Sequence, residues 1–376
     1  MGSNYGCICF RKDQYINVEF DPERKQELLI NLSKKGQWEK EEYEATDIAK
    51  TKIQQSHSVS INHLNDINYA KEEIKIPILH EKVASIIKLN GAFEPNEKEM
   101  SQLMQMNLIQ RGTVIIENNL IYKGTWNEEN QKEGFGEILF PDGGKFEGFF
   151  KNDMMNGRGR LINSQGDFYE GEFKNDKANN YGKYISGEGI RYAGFWMDDK
   201  QHGKGEETYI DGSKYIGYFE NGEKSGKGKF SWPDGSIYEG DFEKNAINGK
   251  GIYQWKDGRK YHGDWVNNKM EGIGLFIWTD KKTYCGQYKD DKKSGYGIFI
   301  WPDGKRYEGN WLNGRHHGYG IMYANGEKRV GEWNNGQKVR WILDSIENIP
   351  ILEKIITKLN EKANTFQFNE ILTNII

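Results

Sequence analysis

Proline is scarce in this chain of 376 residues: there are 7, against 45 glycines. Without proline-rich or strict Gly-X-Y stretches it is neither a stiff linker nor a collagen-like strand. Three cysteines, two of them Cys7 and Cys9, offer no disulfide framework, so a reducing, cytosolic setting is expected. No apolar run is long enough to span a bilayer, and no apolar signal-peptide core follows the start. A dominant charge is missing too. The 52 basic and 56 acidic residues leave a net charge of −4, which gives nucleic acid no general hold. The apolar fraction, 36%, is low for one large globular core. Yet aromatics reach 13%, too many for a disordered chain.

What is present is a repeat. Aromatic-x-Gly triplets begin at Tyr122, Phe146, Tyr169, Tyr192, Tyr215, Tyr238, Tyr261, Tyr284 and Tyr307; the first step is 24 residues and the next seven are 23. Arg329-Val330-Gly331 fills the slot 22 residues later. A fixed period of this kind marks a repeat architecture. One half of each unit reads aromatic-x-Gly-x-aromatic, as in Tyr238, Gly240 and Phe242. The other reads Gly-x-Gly-x-apolar-x-apolar, as in Gly226, Gly228, Phe230 and Trp232. Both have the period of two that lines one face of a strand. Between the halves stands a turn such as Pro233-Asp234-Gly235-Ser236, whose Asp-Gly pair supplies the positive φ of a tight hairpin. Each unit is therefore a β-hairpin with one aromatic face, and each glycine leaves a gap for a ring to cover. Outward slots are charged, with Lys227 and Lys229 facing Glu239, Asp241 and Glu243. From the strand around Gly112 to Trp333 there are ten hairpins sharing one core in series. Asn180 replaces the first glycine of its pair and Glu207 occupies an inward slot, so a bend or loosened contact is expected there.

These residues resemble the MORN repeat, whose typical unit looks like "YEGDFENGxxxGKGxxxWPDG", over 110–336, more than half the chain. The resemblance implies a mainly β fold: an elongated, twisted, single-layer antiparallel hairpin array. It also implies a non-catalytic role, since such arrays serve as scaffolds and docking segments in ciliary, cortical and membrane-contact proteins. Some bind phosphoinositides, and some mediate dimerisation. Usage rich in asparagine, lysine and isoleucine is similar to that of protist chains.

Other chemistry fares poorly. Asn221-Gly222-Glu223-Lys224-Ser225-Gly226-Lys227-Gly228 imitates a phosphate loop, but three residues rather than four separate the glycines and Gly228 replaces the hydroxyl residue. His202, His262, His316 and His317 have no zinc-ligand spacing. Cys285 falls in an outward slot as an incidental residue, and the carboxylates sit on solvated faces rather than in an apolar pocket. No enzyme, cofactor or metal site is expected.

The start, MGSNYGCICFRK, carries the sharpest functional pattern. Loss of Met1 would expose Gly2 for myristoylation, although Gly6 stands where the strict pattern has Ser or Thr. Cys7 and Cys9, beside Arg11 and Lys12, suit a second acyl chain, and two chains anchor where one holds only marginally. Four regions follow: 1–12 as a membrane tether, 13–109 as helical and partly disordered, 110–336 as the array, and 337–376 as amphipathic helices. In the second region, Asp21-Pro22-Glu23 opens a helix that Gly36 ends. Leu79, Val83, Ile86 and Ile87 line a further helix, and Met100, Leu103 and Met104 another, capping the first hairpin or docking a partner. In the last region, Ile351, Leu352, Ile355, Ile356 and Leu359 form a stripe suited to cover the end strand or to dimerise.

The expected function is a non-catalytic scaffold, tethered to the cytosolic face of a ciliary or cortical membrane, that holds a cytoskeletal or ciliary protein. One alternative is a soluble subunit of a ciliary axonemal assembly such as the radial spoke head. Another is a phosphoinositide-binding module using connector cations such as Lys292, Lys293 and Arg315. Contact with partners is assigned to the groove of the regular units, through Trp232, Trp255, Trp278 and Trp301 with Tyr238, Tyr261, Tyr284 and Tyr307. A homodimer is a further candidate assembly.

Overall fold

The structure, a computed structural model, describes residues 77–342 and Thr357. The described residues belong to one compact unit. They form two helices and one antiparallel sheet of 22 strands. Consecutive strands pair from Leu120–Trp126 to Gln337–Trp341, so the sheet is a continuous meander.

Nine of the expected ten hairpins are regular, and the tenth is broken. The strand around Gly112 divides into Ile109–Gln110 and Val114–Ile116, both paired with Leu120–Trp126. Gly112 falls in the gap because no ring covers it: Tyr122 leans the other way, over Gly124 and Gly136. At the far end, Gln337–Trp341 is a last strand where amphipathic helix was expected, with Trp341 set edge-on to Trp333 at 5.8 Å. The remainder of the C-terminal stripe lies outside the described residues, as do the Asp21–Gly36 helix, Gly2, Cys7 and Cys9.

Two kinds of turn alternate. The Pro-Asp-Gly segments are wide: Trp232 N–H donates to Ser236 C=O at 2.9 Å, and Asp234 accepts from Ser236 N–H at 2.8 Å. From Asn152-Asp153 onward the turns between units are the tight ones, where two successive residues take positive φ, as at Lys244 (49°) and Asn245 (67°). The ends of the array depart from this, with a wide turn between units from Asn127 to Gln131 and a tight one within the last unit at Asn325-Gly326. The tight turns between units are the mirror-image ones that match strand twist. Each also clasps the unit before it. Asn245 N–H donates to Lys224 C=O at 3.1 Å, while its side-chain oxygen accepts from Lys224 N–H at 2.8 Å. Asp153, Asp176, Asp199, Asn268 and Asp291 do the same. Gly222, Gly314 and Gly336 keep only the backbone half.

Between units the ladder slips by a bulge centred on the first glycine of each Gly-x-Gly, such as Gly249 at φ 98°. The expected weak point at Asn180 does not loosen. Asn180 takes φ 53°, which asparagine tolerates better than most residues, and donates to Glu172 at 2.8 Å. The bulge and register there match those of the other units.

The helices Glu81–Asn90 (α1) and Glu97–Met104 (α2) follow the stripes read from sequence, and Asn96 with Glu99 forms a capping box on α2. They do not simply cap the first hairpin. α1 packs Val83, with Leu79, Ile86 and Ile87, on Ile162 and Phe168. Those two residues alternate with Leu161 and Tyr169 of the aromatic face, so α1 lies on the opposite face of the sheet. Arg158 pairs with Glu99 at 2.8 Å, and Arg160 donates to Gly91 C=O at 2.6 Å; both guanidinium groups lie over Phe93.

Candidate docking groove

The aromatic face is built from a lock between tyrosine and glycine. Tyr215 lies over Gly217 on its own strand and Gly228 on the next, and its hydroxyl donates to Tyr218 C=O at 2.9 Å. Tyr238, Tyr261, Tyr284 and Tyr307 repeat this with Asp241, Asp264, Gln287 and Asn310. All four are 0% exposed. Burial pushes their phenols far above the ordinary tyrosine value. These tyrosines, counted among the contact residues from sequence, are thus closed architecture and present nothing to a partner.

Two ring ladders run along this face. The inner one alternates the locked tyrosines with Phe242, Trp265, Tyr288 and Trp311. For instance, Tyr238 meets Phe242 at 5.2 Å and Trp265 at 5.6 Å, both edge to face. The outer ladder passes Trp232, Tyr253, Trp255, Phe276, Trp278, Phe299 and Trp301 at centroid spacings between 4.3 and 5.5 Å. Trp255 is buried; Trp232, Trp278 and Trp301 are half-buried and keep part of their ring surface open to solvent. Of the sequence-assigned contact residues, these three form the accessible wall.

A row of side chains just after each tight turn also faces this side, and sequence reasoning missed it. Lys224, Ile247, Met270, Lys293 and His316 hold the same slot in successive units. The signal was available, because the period of two through Gly228 and Gly226 extends back to Lys224. Lys224 is buried, 2.7 Å from Glu207, with its ammonium near the rings of Tyr209, Tyr215 and Phe219. This explains the acid in an inward slot. Lys293 is no solvated connector: its Nζ lies 4.3 Å from the Trp311 centroid, 4.8 Å from Phe299, 5.4 Å from Tyr284 and 5.5 Å from Trp278. Burial pulls its ammonium down to about 8. His316 sits 4.0 Å from Tyr307 and 4.4 Å from Trp311, its Nε2 without a partner. Burial, then the charge of Lys293, brings its imidazole down to about 4.

The opposite face is less uniform than the charged slots of one unit suggested. Lys227 does pair with Asp241 at 2.7 Å. Earlier units, however, expose Tyr181, Phe195, Ile216 and Tyr218 there. Later ones bury Leu275, Cys285, Tyr296, Ile321 and Val330 as a second apolar cluster that Ile342 joins. Cys285 is outward, as expected, yet only 2% exposed, and burial pushes its thiol up to about 12. Among the described residues, no three His, Cys, Asp or Glu side chains gather as a metal site.

Comparison with known proteins agrees with the repeat. The MORN repeat family matches residues 122–145, 146–168, 169–191, 192–214, 215–237, 238–258, 261–283, 284–306 and 307–328. No curated protein matches the chain. Among solved structures, the TCP10 domain of Danio rerio CPAP, in complex with a STIL peptide, is 14% identical at a TM-score of 0.23, covering 59% of this chain and 98% of that one. The TCP domain of Drosophila melanogaster SAS-4, in complex with a proline-rich motif of Ana2, is 13% identical at 0.19, covering 53% and 90%. Virginiamycin B lyase from Staphylococcus aureus is 11% identical at 0.13, covering 64% and 88%. Scores this low carry no argument.

Proposed function

Because this chain belongs to the MORN-repeat family, whose arrays mediate protein or membrane-lipid interactions, we propose that it is a non-catalytic scaffold whose aromatic groove docks a protein partner. The observation that supports this reading is the half-buried row Trp232, Trp278 and Trp301, standing on a sheet whose tyrosines are locked beneath it. Large rings that keep exposed surface on a stiff platform lose little entropy on binding and are the residue type most often dominant in interfaces. The scaffold is tethered to the cytosolic face of a ciliary or cortical membrane through acylated Gly2 and Cys7 or Cys9, and the partner is cytoskeletal or ciliary.

Two experiments test this. Deleting residues 226–294, three whole 23-residue steps, joins Ser225 to Gly295 and preserves the alternation of strands. The shorter chain should fold and lose its partner in proximity labelling. Recruitment that survives this deletion but vanishes without 13–109 would move recognition to the N-terminal region. For the tether, Gly2→Ala with Cys7→Ser and Cys9→Ser should shift the protein from the membrane to the soluble fraction; an unchanged distribution would exclude it.

A further inference from the structure

The slot after the turn between units holds a lysine at Lys132, Lys224, Lys293 and Lys338; the first two carry their own counter-charge, and Lys338 is exposed on the last strand. Lys132 lies 3.4 Å from Asp153, and Lys224 lies 2.7 Å from Glu207. Lys293 differs. In its unit the position equivalent to Glu207, three repeats on, is Phe276. Among the described residues, no carboxylate pairs with Lys293, and its ammonium faces four rings, Trp278, Tyr284, Phe299 and Trp311. Ring faces attract a cation, but they supply no hydrogen-bond acceptor of the strength a carboxylate gives, and an ammonium has three donors to satisfy. The side chain is half-buried, so it is not sealed from the groove. Trp278, one wall of this cage, is also one of the open tryptophans of the groove.

We propose that Lys293 is the receptor for a carboxylate, an Asp or Glu side chain carried by a protein segment that docks in the groove. The proposal rests on the docking reading above and gives that docking its polar anchor. A partner acid would supply from outside what Glu207 supplies to Lys224 from within, its apolar neighbours packing on Trp278 and Trp301. Charge argues for a single carboxylate rather than a phosphorylated lipid headgroup. In the adjacent wide turns, Lys282 and Lys305 are already paired with Asp280 and Asp303 at 2.6 and 2.8 Å, which leaves Lys281 as the one cation there outside an ion pair among the described residues. His316 is held neutral. Several phosphate charges against one ammonium and aromatic walls would go uncompensated, and burying unpaired charge is costly.

The test uses the full chain and a displayed library of random dodecapeptides, with the tightest binder then synthesised. The expected result is enrichment of Asp or Glu flanked by apolar residues. Affinity should fall at least tenfold when that acid becomes its amide, and at least tenfold in Lys293→Met. It should hold within threefold in Lys293→Arg and in Lys227→Met on the opposite face. Methionine is a fair replacement, since Met270 fills the same slot one unit earlier, and thermal melts check that each variant folds. Failure to enrich any peptide, or acid-dependent binding indifferent to Lys293→Met, would overturn the proposal. Peptides without acids that depend on Trp278 would leave the groove as a docking site and remove Lys293 from it. A parallel arm uses phosphatidylcholine vesicles containing phosphatidylinositol bisphosphate; binding lost in Lys293→Met there, without an acidic peptide, would assign the lysine to a lipid headgroup and overturn the proposal too.

Discussion

Replacing Gly228 by alanine should open the array at one joint. A β-carbon there would stand 2.5 Å from both Cε2 and the hydroxyl oxygen of Tyr215, and 2.7 Å from Cζ. Tyr215 has nowhere to yield: it is 0% exposed and held edge to face by Phe219 at 5.1 Å and Phe242 at 5.0 Å. Overpacking of this kind costs about 1–3 kcal/mol. Displacing the ring also sacrifices the hydroxyl's bond to Tyr218, about 1 kcal/mol more. The expected total is about 2–4 kcal/mol. Gly235→Ala is the control. Nothing lies within 4 Å of its β-carbon, so only its φ of 92° opposes the change. That should cost about 1–2 kcal/mol. Urea unfolding of the full chain, followed by tryptophan fluorescence and circular dichroism, measures both. Neighbour-coupled repeats lose cooperativity at a lesion, so Gly228→Ala should also broaden or split the transition. Combining it with Tyr215→Ala, which removes the ring, should cost less than the two changes summed. Equal costs for the two glycine variants, or strict additivity with Tyr215→Ala, would refute the lock.

Two further outcomes follow from the groove. The spacing of tryptophans alone suggests that Trp278→Ala costs about 3–5 kcal/mol. The half-buried position found here lowers the expectation to about 1.5–3 kcal/mol, while Lys227→Ala should stay within about 0.5 kcal/mol; denaturant midpoints that rank the two the other way would reverse the assignment of faces. His316 gives a pH signature: with its folded value near 4, below the unfolded value of about 6.5, the unfolded chain takes up the proton first. Stability should therefore fall as pH drops from about 6.5 towards 4, by about 1–2 kcal/mol once partial exposure is discounted, and level off below. His316→Phe should flatten that part of the pH profile of melting temperature; an unchanged slope would show that other groups cause it.

The repeat and its inward face were legible because two periods, 23 and 2, coincide on the same residues. Tyr238, Gly240 and Phe242 announce a strand face without any structure. What the tyrosines do was less legible. Aromatic enrichment reads equally as core or as contact surface, and only the hydroxyl bonds to carbonyls three residues on decide for core. The tight turns were misplaced because Pro-Asp-Gly is the louder turn signal, whereas Lys244-Asn245 hides a mirror-image turn behind an ordinary lysine. The broken hairpin at Gly112 shows that a glycine in register is insufficient when no ring leans over it. Lys224 and Glu207 lie 17 residues apart, and nothing but the folded register brings them together.

The clasps at the tight turns have a mechanical consequence. A load carried along the meander, across the strands, passes through every junction in series, so its yield point belongs to the weakest joint rather than to the average one. Most junctions bear two stitches, one from the backbone and one from an Asp or Asn side chain. Those at Gly222, Gly314 and Gly336 bear only the backbone stitch. The joint between Gln201 and Gly222 lies well inside the array, whereas that between Lys293 and Gly314 has three strands beyond it. Pulled at its ends, the sheet should part there first, shedding blocks of whole repeats instead of fraying strand by strand; force–extension traces of the full chain would show steps of several repeats, and single-strand steps would contradict this. A fuse of this kind would let a strained scaffold lengthen in increments while the repeats between its weak joints stay folded.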